Sequence, residues 1–198
     1  MTETLLEVLH RPVLEAAPRL LGAVLAHGDV AVRLTEVEAY AGADDPGSHA
    51  FRGETPRTRT MFGPAGGLYV YFVYGMHFCA NVVCGPSGTA SAVLLRAGEV
   101  VSGADVATRR RGGAPPRDLA RGPARLCRAL GISGEHDGTD LLTGPVRLEL
   151  AEPVPASQVV TGPRVGLRQA ADRPWRWWVE GEPSVSPYRP AAPRRPRG

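Results

Sequence analysis

The run Val30-Ala-Val-Arg-Leu-Thr-Glu-Val-Glu-Ala-Tyr40 constrains the fold more than any other stretch of the chain. Its strand-like pattern implies a side-chain period of two, and strict alternation sets Val32, Leu34, Glu36, Glu38 and Tyr40 on one face. A surface that starts as core therefore ends in two carboxylates and an aromatic ring. A strand that finishes this way predicts a polar, aromatic-walled pocket at its end, and with it chemistry rather than packing.

The segments around this strand organise the rest of the sheet. Residues 23–26 form a second strand-like segment, and His27-Gly28-Asp29 between them is consistent with a hairpin turn. Residues 68–74 and 78–83 read as another hairpin, with Tyr74, Gly75, Met76 and His77 at its bend, and residues 91–98 as a further strand. Residues 146–150 and 175–179 supply the last strand candidates. Thr2 is positioned to cap a short helix carrying Leu5, Leu6, Val8 and Leu9, and Pro12 to open a second one ending near Gly22. Pro123 opens a third, with Leu126 and Leu130 inward, Arg125 and Arg128 outward, and Gly131 as its stop. Residues 41–66 form a long loop rich in Gly, Pro, Asp and Arg, and a loop of that length in a compact domain is commonly functional. Residues 106–122, with Arg109-Arg-Arg111, read as a flexible basic loop, and residues 187–198 as a disordered basic tail rich in Pro and Arg. The expected architecture is α/β of the α+β type. It is a single domain over 1–186, with a mainly antiparallel curved sheet, peripheral helices and a protruding β-hairpin.

Composition narrows the chemistry. With 198 residues and 43% hydrophobic content, the chain can bury a core of its own. The formal charge of +3 is concentrated at the C-terminus, where Arg189, Arg194, Arg195 and Arg197 lie, so charge alone does not name a nucleic-acid partner. All 23 basic residues are arginine, which excludes lysine Schiff-base chemistry and a Walker-type phosphate loop. The three cysteines, Cys79, Cys84 and Cys127, have no metal-ligand spacing, and neither a metal nor a cofactor is expected. No apolar run reaches the roughly 18 residues of a membrane span and no signal pattern opens the chain, so a soluble cytoplasmic protein is expected.

Several ordered blocks carry a more specific message: Glu36-Val-Glu-Ala-Tyr40, Ser48-His49, Thr55-Pro-Arg57, Met61-Phe62, Leu68-Tyr-Val-Tyr71, Tyr74-Gly-Met76, Phe78-Cys79 and Asn81. Beyond them stand Val93-Leu-Leu-Arg96, Gly122-Pro123, Leu126-Cys127, Arg164-Val-Gly166 and Val185-Ser186. In this set the chain resembles the alkyladenine (3-methyladenine) DNA glycosylase family over nearly its whole length. The resemblance implies a base-excision-repair enzyme. It would flip alkylated purines out of duplex DNA, hydrolyse the N-glycosidic bond and leave an abasic site, working as a monomer associated with the nucleoid through DNA.

By that resemblance Glu38 is the general base that activates water, and Arg96 helps position the water and the target phosphate. Tyr40, His49 and Tyr71 enclose the extruded base. Asn81 disfavours guanine by crowding its 2-amino group, Tyr74 fills the gap left in the duplex, and Arg125 contacts the DNA backbone. Physical chemistry agrees with these roles. Extrusion costs about a few kcal/mol, which an aromatic wedge offsets, and a cationic methylated purine gains roughly 0.5–2 kcal/mol on aromatic faces. The absence of lysine predicts a monofunctional enzyme.

Plainer readings stand beside these. Glu36 and Glu38 could be solvated strand carboxylates, Arg125 a solvated helix arginine, and Arg96 the partner of a surface acid. Tyr69 and the three tryptophans read as core, and His77 as a turn residue. Two alternative functions differ in class. A glycoside hydrolase could use Glu36 and Glu38 as a carboxylate pair, since same-face neighbours on a strand stand about 6.6–6.8 Å apart. A non-catalytic nucleic-acid-binding module of related fold could dispense with Glu38 altogether.

Overall fold

A strand with neighbours on both edges must satisfy its backbone groups along its whole length, and Val30–Tyr40 (β2) does so by changing partners halfway. The computed structural model describes residues 3–73 and 75–192. On one edge β2 pairs antiparallel with Ala92–Ser102 (β5). On the other it pairs first with Val24–His27 (β1), across a turn at Gly28, and then with Arg176–Val179 (β9). The exchange falls at Thr35. The pairing with β5 shifts there, from Leu34 opposite Gly98 to Glu36 opposite Ala97, and shifts again so that Arg96 is skipped on β5.

This bulge corrects the strict alternation expected from the sequence. Val32 and Leu34 belong to the main apolar core, but so do Val37 and Ala39, so the core-facing parity changes across Thr35. An extra residue in one strand has this effect, because every side chain beyond it moves to the opposite face. Thr35 itself is buried, its hydroxyl 2.9 Å from that of Ser184.

The remaining strands extend the antiparallel sheet. Leu68–Val73 (β3) and His77–Val83 (β4) form the second hairpin, and the order β3-β4-β5-β2-β1-β7 ends on Val146–Glu149 (β7). Ala120–Arg121 (β6) pairs with β5, and Val159–Gly162 (β8) with β9. Helices Leu5–Leu9 (α1), Val13–Arg19 (α2), Ala104–Arg110 (α3) and Pro123–Leu130 (α4) complete the fold. The expected mainly antiparallel sheet with peripheral helices is what the chain forms.

Local chemistry explains where the helices start and stop. The cap expected at Thr2 lies outside the described residues, and α1 is capped by Thr4. Glu7 stands three residues on, its carboxylate accepts from the Thr4 amide at 2.7 Å, and its own amide donates to the Thr4 hydroxyl. In α2, Pro12 is the N-cap rather than a first-turn residue. In α4, Leu126 and Leu130 are fully buried while Arg125 and Arg128 reach outward, and Gly131 closes it in the left-handed conformation at φ 74°. Burying each such leucine is worth about 1.5–3 kcal/mol.

The segment read as a flexible basic loop is partly helical. α3 begins at Ala104, with Asp105 in its first turn and Arg109 and Arg110 in its last, so the charges complement the helix dipole. Asp105 and Arg109 pair at 3.0 Å one turn apart. Composition suggested a loop, but buried Ala107 gives the helix an inner face. No helix among the described residues is long and apolar enough to cross a membrane. Residues 193–198 of the expected tail, and Tyr74 at the hairpin bend, lie outside the described residues.

Candidate active site

Strand register alone assembles the floor of the site. Tyr69 on β3 faces Asn81 on β4, Asn81 faces Leu94 on β5, and Leu94 faces Glu38 on β2. Directly paired residues project to the same side of a sheet, so these four side chains form one row. Over its first three members opens a cavity of about 700 Å³, within the size range of ligand pockets. Tyr40, His49, Tyr71, Cys79 and Arg96 also line it. Further parts of its wall come from the start of α4 between Gly122 and Arg125, from residues 165–167, and from Ser186, Pro187 and Arg189. Pro187 and Arg189, counted with the tail on composition, thus form part of the cavity wall. The Gly166 amide donates to the Arg189 carbonyl at 2.9 Å.

The aromatic side is built on β3. Tyr69 and Tyr71 lie two apart on one strand face, their rings stacked with centroids 5.4 Å apart. The His49 ring meets Tyr71 edge-on at 4.6 Å, and its Nδ1 is 3.4 Å from the Tyr69 hydroxyl. Tyr69 is buried, as expected of a core residue, yet its ring also borders the cavity. Burial lowers the titration point of His49, and the nearby Arg57 guanidinium lowers it further, although the imidazole keeps an exposed edge. Burial likewise pushes the Tyr71 phenol and the Cys79 thiol up, so both are held in their neutral forms.

Glu38 stands one layer behind the cavity surface. It is fully buried, and its Oε1 accepts from the Val165 amide at 2.7 Å. Its Oε2 accepts from the Tyr40 hydroxyl at 2.8 Å and lies 3.4 Å from Arg96 Nη1. Tyr40 and Arg96 both line the cavity, so the carboxylate is reached through them. Burial raises the Tyr40 phenol well above its ordinary value, and the charge of Glu38 adds to that effect.

Glu36 does different work on the same strand face. Its Oε1 accepts from Arg96 Nε at 2.9 Å, Arg176 Nε at 2.7 Å and the Ser186 hydroxyl at 3.0 Å, while Oε2 accepts from the Ser186 amide at 2.7 Å. Burial alone would raise this carboxyl, but Arg96 and Arg176 outweigh it and hold Glu36 below the usual carboxylate range. With both oxygens engaged by neighbours, Glu36 fixes the guanidinium of Arg96. Held between two guanidinium groups, it is committed to ion pairing and does not supply the acid of the carboxylate pair that such a glycoside hydrolase requires.

The structure gathers Tyr40, His49, Tyr71, Asn81, Arg96 and Arg125 around one cavity, with Glu38 behind it. Asn81 Nδ2 donates to the Tyr69 carbonyl at 3.1 Å. Arg125 is half-exposed at the rim, 3.5 Å from Asp118. His77, read as a turn residue, also borders the cavity. Several contributors carried no individual role in the sequence: Val165, Ser186, Arg176, and the buried pair Asp45 and Arg164. Val165 and Ser186 fall inside sequence blocks already singled out, but only the folded backbone shows that their amide groups reach carboxylates. Among the described residues, no group of three or more His, Cys, Asp or Glu side chains is placed to hold a metal ion.

Comparison with known proteins places the whole chain in a family. The family model for methylpurine-DNA glycosylase matches residues 7–183. A Frankia casuarinae protein provisionally named 3-methyladenine DNA glycosylase is 56% identical over 198 aligned residues, covering 94% of this chain and 92% of its own. Proteins with the same provisional name from Leifsonia xyli and Streptomyces avermitilis are 59% and 52% identical, covering 89% and 96% of this chain and 88% and 94% of theirs. Residues on four neighbouring strands that share a cavity thus sit within a match spanning most of the sequence, and the chain belongs to the methylpurine-DNA glycosylase family.

Proposed function

We propose that this DNA glycosylase removes alkylated purines of the 3-methyladenine type from duplex DNA by hydrolysis, with Glu38 as the base that accepts the proton of the attacking water. One observation carries this reading. A fully buried carboxylate, fixed by Tyr40, Val165 and Arg96, backs an aromatic-walled cavity large enough for a nucleotide. A purine in a duplex cannot reach such a cavity, so the nucleotide has to swing out of the helix, at a cost of about a few kcal/mol. The hairpin formed by β3 and β4 supports a wedge role. Phe72 and Met76 near its tip are 50% and 68% exposed, and the resemblance gives the wedge itself to Tyr74.

A methylated purine carries a positive charge and is already a good leaving group. Stacking among Tyr40, His49 and Tyr71 then reads the damage as charge, adding roughly 0.5–2 kcal/mol over a neutral base. A neutral His49, favoured by burial and by Arg57, spares the cation a like charge. What remains is to take a proton from water and to stabilise the developing sugar cation, and a positioned carboxylate does both. With no lysine in the chain, the product is an intact abasic site.

The test is a duplex carrying a single 7-methylguanine, incubated with the protein and then treated with alkali. Strand scission only after alkali is expected, with Glu38→Gln abolishing it while lesion binding persists. Scission without alkali would overturn the monofunctional reading. Absence of base release from any alkylated duplex would overturn the function.

A further inference from the structure

We infer that Tyr40 is a catalytic residue, its hydroxyl relaying the proton of the attacking water to Glu38 in addition to the stacking its ring provides. The inference rests on the reading of the site given above and concerns how the proton reaches the carboxylate.

The argument begins with access. Glu38 is fully buried and has no place on the cavity wall, whereas Tyr40 is half-buried and does. Oε1 of Glu38 is occupied by the Val165 amide, and Oε2 by the Tyr40 hydroxyl at 2.8 Å with Arg96 beside it. A base acts on a proton within hydrogen-bond reach or through one intermediary. Of the two side chains that contact Oε2 of Glu38 and also line the cavity, Tyr40 and Arg96, only Tyr40 carries an oxygen through which the proton can pass. That hydroxyl donates its own proton to Glu38, so its lone pairs are left to accept one from water. Arg96 lines the same wall but cannot take the role, because a guanidinium has no acceptor. Its Nε is bound to Glu36 and its Nη2 lies 3.2 Å from the Ser186 hydroxyl.

The step balances without a further reactant. The water oxygen forms a bond to the sugar C1′ as the C1′–N bond of the cationic purine breaks, and the bonding pair leaves with the base, which departs neutral. One O–H bond of water breaks, and its proton passes to the Tyr40 oxygen. The Tyr40 proton passes in the same motion to Oε2 of Glu38, and later to solvent. Burial and the charge of Glu38 both disfavour a standing phenolate, so the two transfers are concerted.

The ring and the hydroxyl are separable, because Tyr40→Phe keeps the stacking surface. The relay predicts that Tyr40→Phe lowers the single-turnover excision rate on a 7-methylguanine duplex by about 100-fold, the lower end for a lost proton-transfer group. Lesion-duplex affinity stays within about threefold of wild type, a change too small to account for that loss. A proton inventory in H2O/D2O mixtures adds a readout that loss of packing does not move. The wild type gives a curved dependence with two protons in flight, and a linear dependence would overturn the relay. A rate loss under tenfold in Tyr40→Phe, with Glu38→Gln inactive, would also overturn it while leaving the glycosylase reading intact. Full activity in Glu38→Gln would remove both.

Discussion

Arg164 and Asp45, 119 residues apart in sequence, form a fully buried ion pair, with Arg164 Nη2 donating to Asp45 Oδ1 at 2.7 Å. The same guanidinium donates from Nη1 to the Ala39 carbonyl at 2.9 Å and lies over the Tyr40 ring at 4.6 Å and the Trp175 ring at 5.1 Å. It therefore ties together the loop that carries His49, the end of β2 that carries Glu38 and Tyr40, and the segment whose Val165 amide holds Glu38. Gly47 belongs to this arrangement too, since a Cβ there would come within 2.8 Å of Arg164 Nη2.

Breaking one partner of a buried pair leaves an uncompensated charge and costs about 3–5 kcal/mol. Asp45→Asn is expected to lose stability of that order in urea unfolding, and excision activity with it. A loss under about 1 kcal/mol, the range of exposed pairs, would show that the clamp is not structural.

The positive charge of Arg57 adds to burial in lowering the titration of His49, and its guanidinium lies over the Tyr71 ring at 5.5 Å. Removing its charge in Arg57→Gln should move the His49 titration midpoint upward, toward the ordinary imidazole value of about 6.5, with burial still holding it somewhat below. The His49 ring-proton shift in NMR, assigned against His49→Gln, measures this. Binding of a cationic lesion should then weaken as pH falls through the new midpoint, and an unmoved midpoint would separate Arg57 from the histidine.

The outline of the site was legible in sequence, but its mechanical support was not. Glu38, Tyr40, His49, Tyr71, Asn81 and Arg96 could be named because they sit in short, distinctive blocks, and five of them reach the cavity wall with Glu38 behind. The long antiparallel strands were readable from local pattern. Partners such as Asp45 with Arg164, or Glu36 with Arg176 at a separation of 140 residues, depend on how distant segments meet. No local periodicity encodes that meeting. The bulge at Thr35 escaped for a related reason, since it is defined by the register of β5 as much as by β2. The helix at Ala104–Arg110 was hidden by a run of arginines that looked like loop composition.

Glu36 should govern acid stability. Its folded-state value lies below the ordinary carboxyl value of about 4.5, so its contribution is complete above that pH and is lost as pH falls through the lower folded-state value. Glu36→Gln is expected to cost about 3–5 kcal/mol near neutrality and to flatten the acid limb of a plot of stability against pH. An acid limb as steep as in the wild type would assign that limb to other carboxyls.

Arg125, half-exposed at the cavity rim, is placed to meet a DNA phosphate. If it neutralises one, Arg125→Ala should reduce the slope of log affinity against log salt by about 0.9. Salt titrations on damaged and undamaged duplexes measure the slope, and both should change alike, because a backbone contact carries no base information. An unchanged slope would leave this arginine to Asp118.

The extra residue at Thr35 decides which face the two acids take. Were the same residues paired without the bulge, Glu36 and Glu38 would turn toward the helices beside Val32 and Leu34, and Val37 and Ala39 would turn outward, inverting the distal half of the strand at one stroke. Side chains along β2 can be exchanged one at a time, but any change that flattened this kink while keeping its residue would exchange interior for cavity surface.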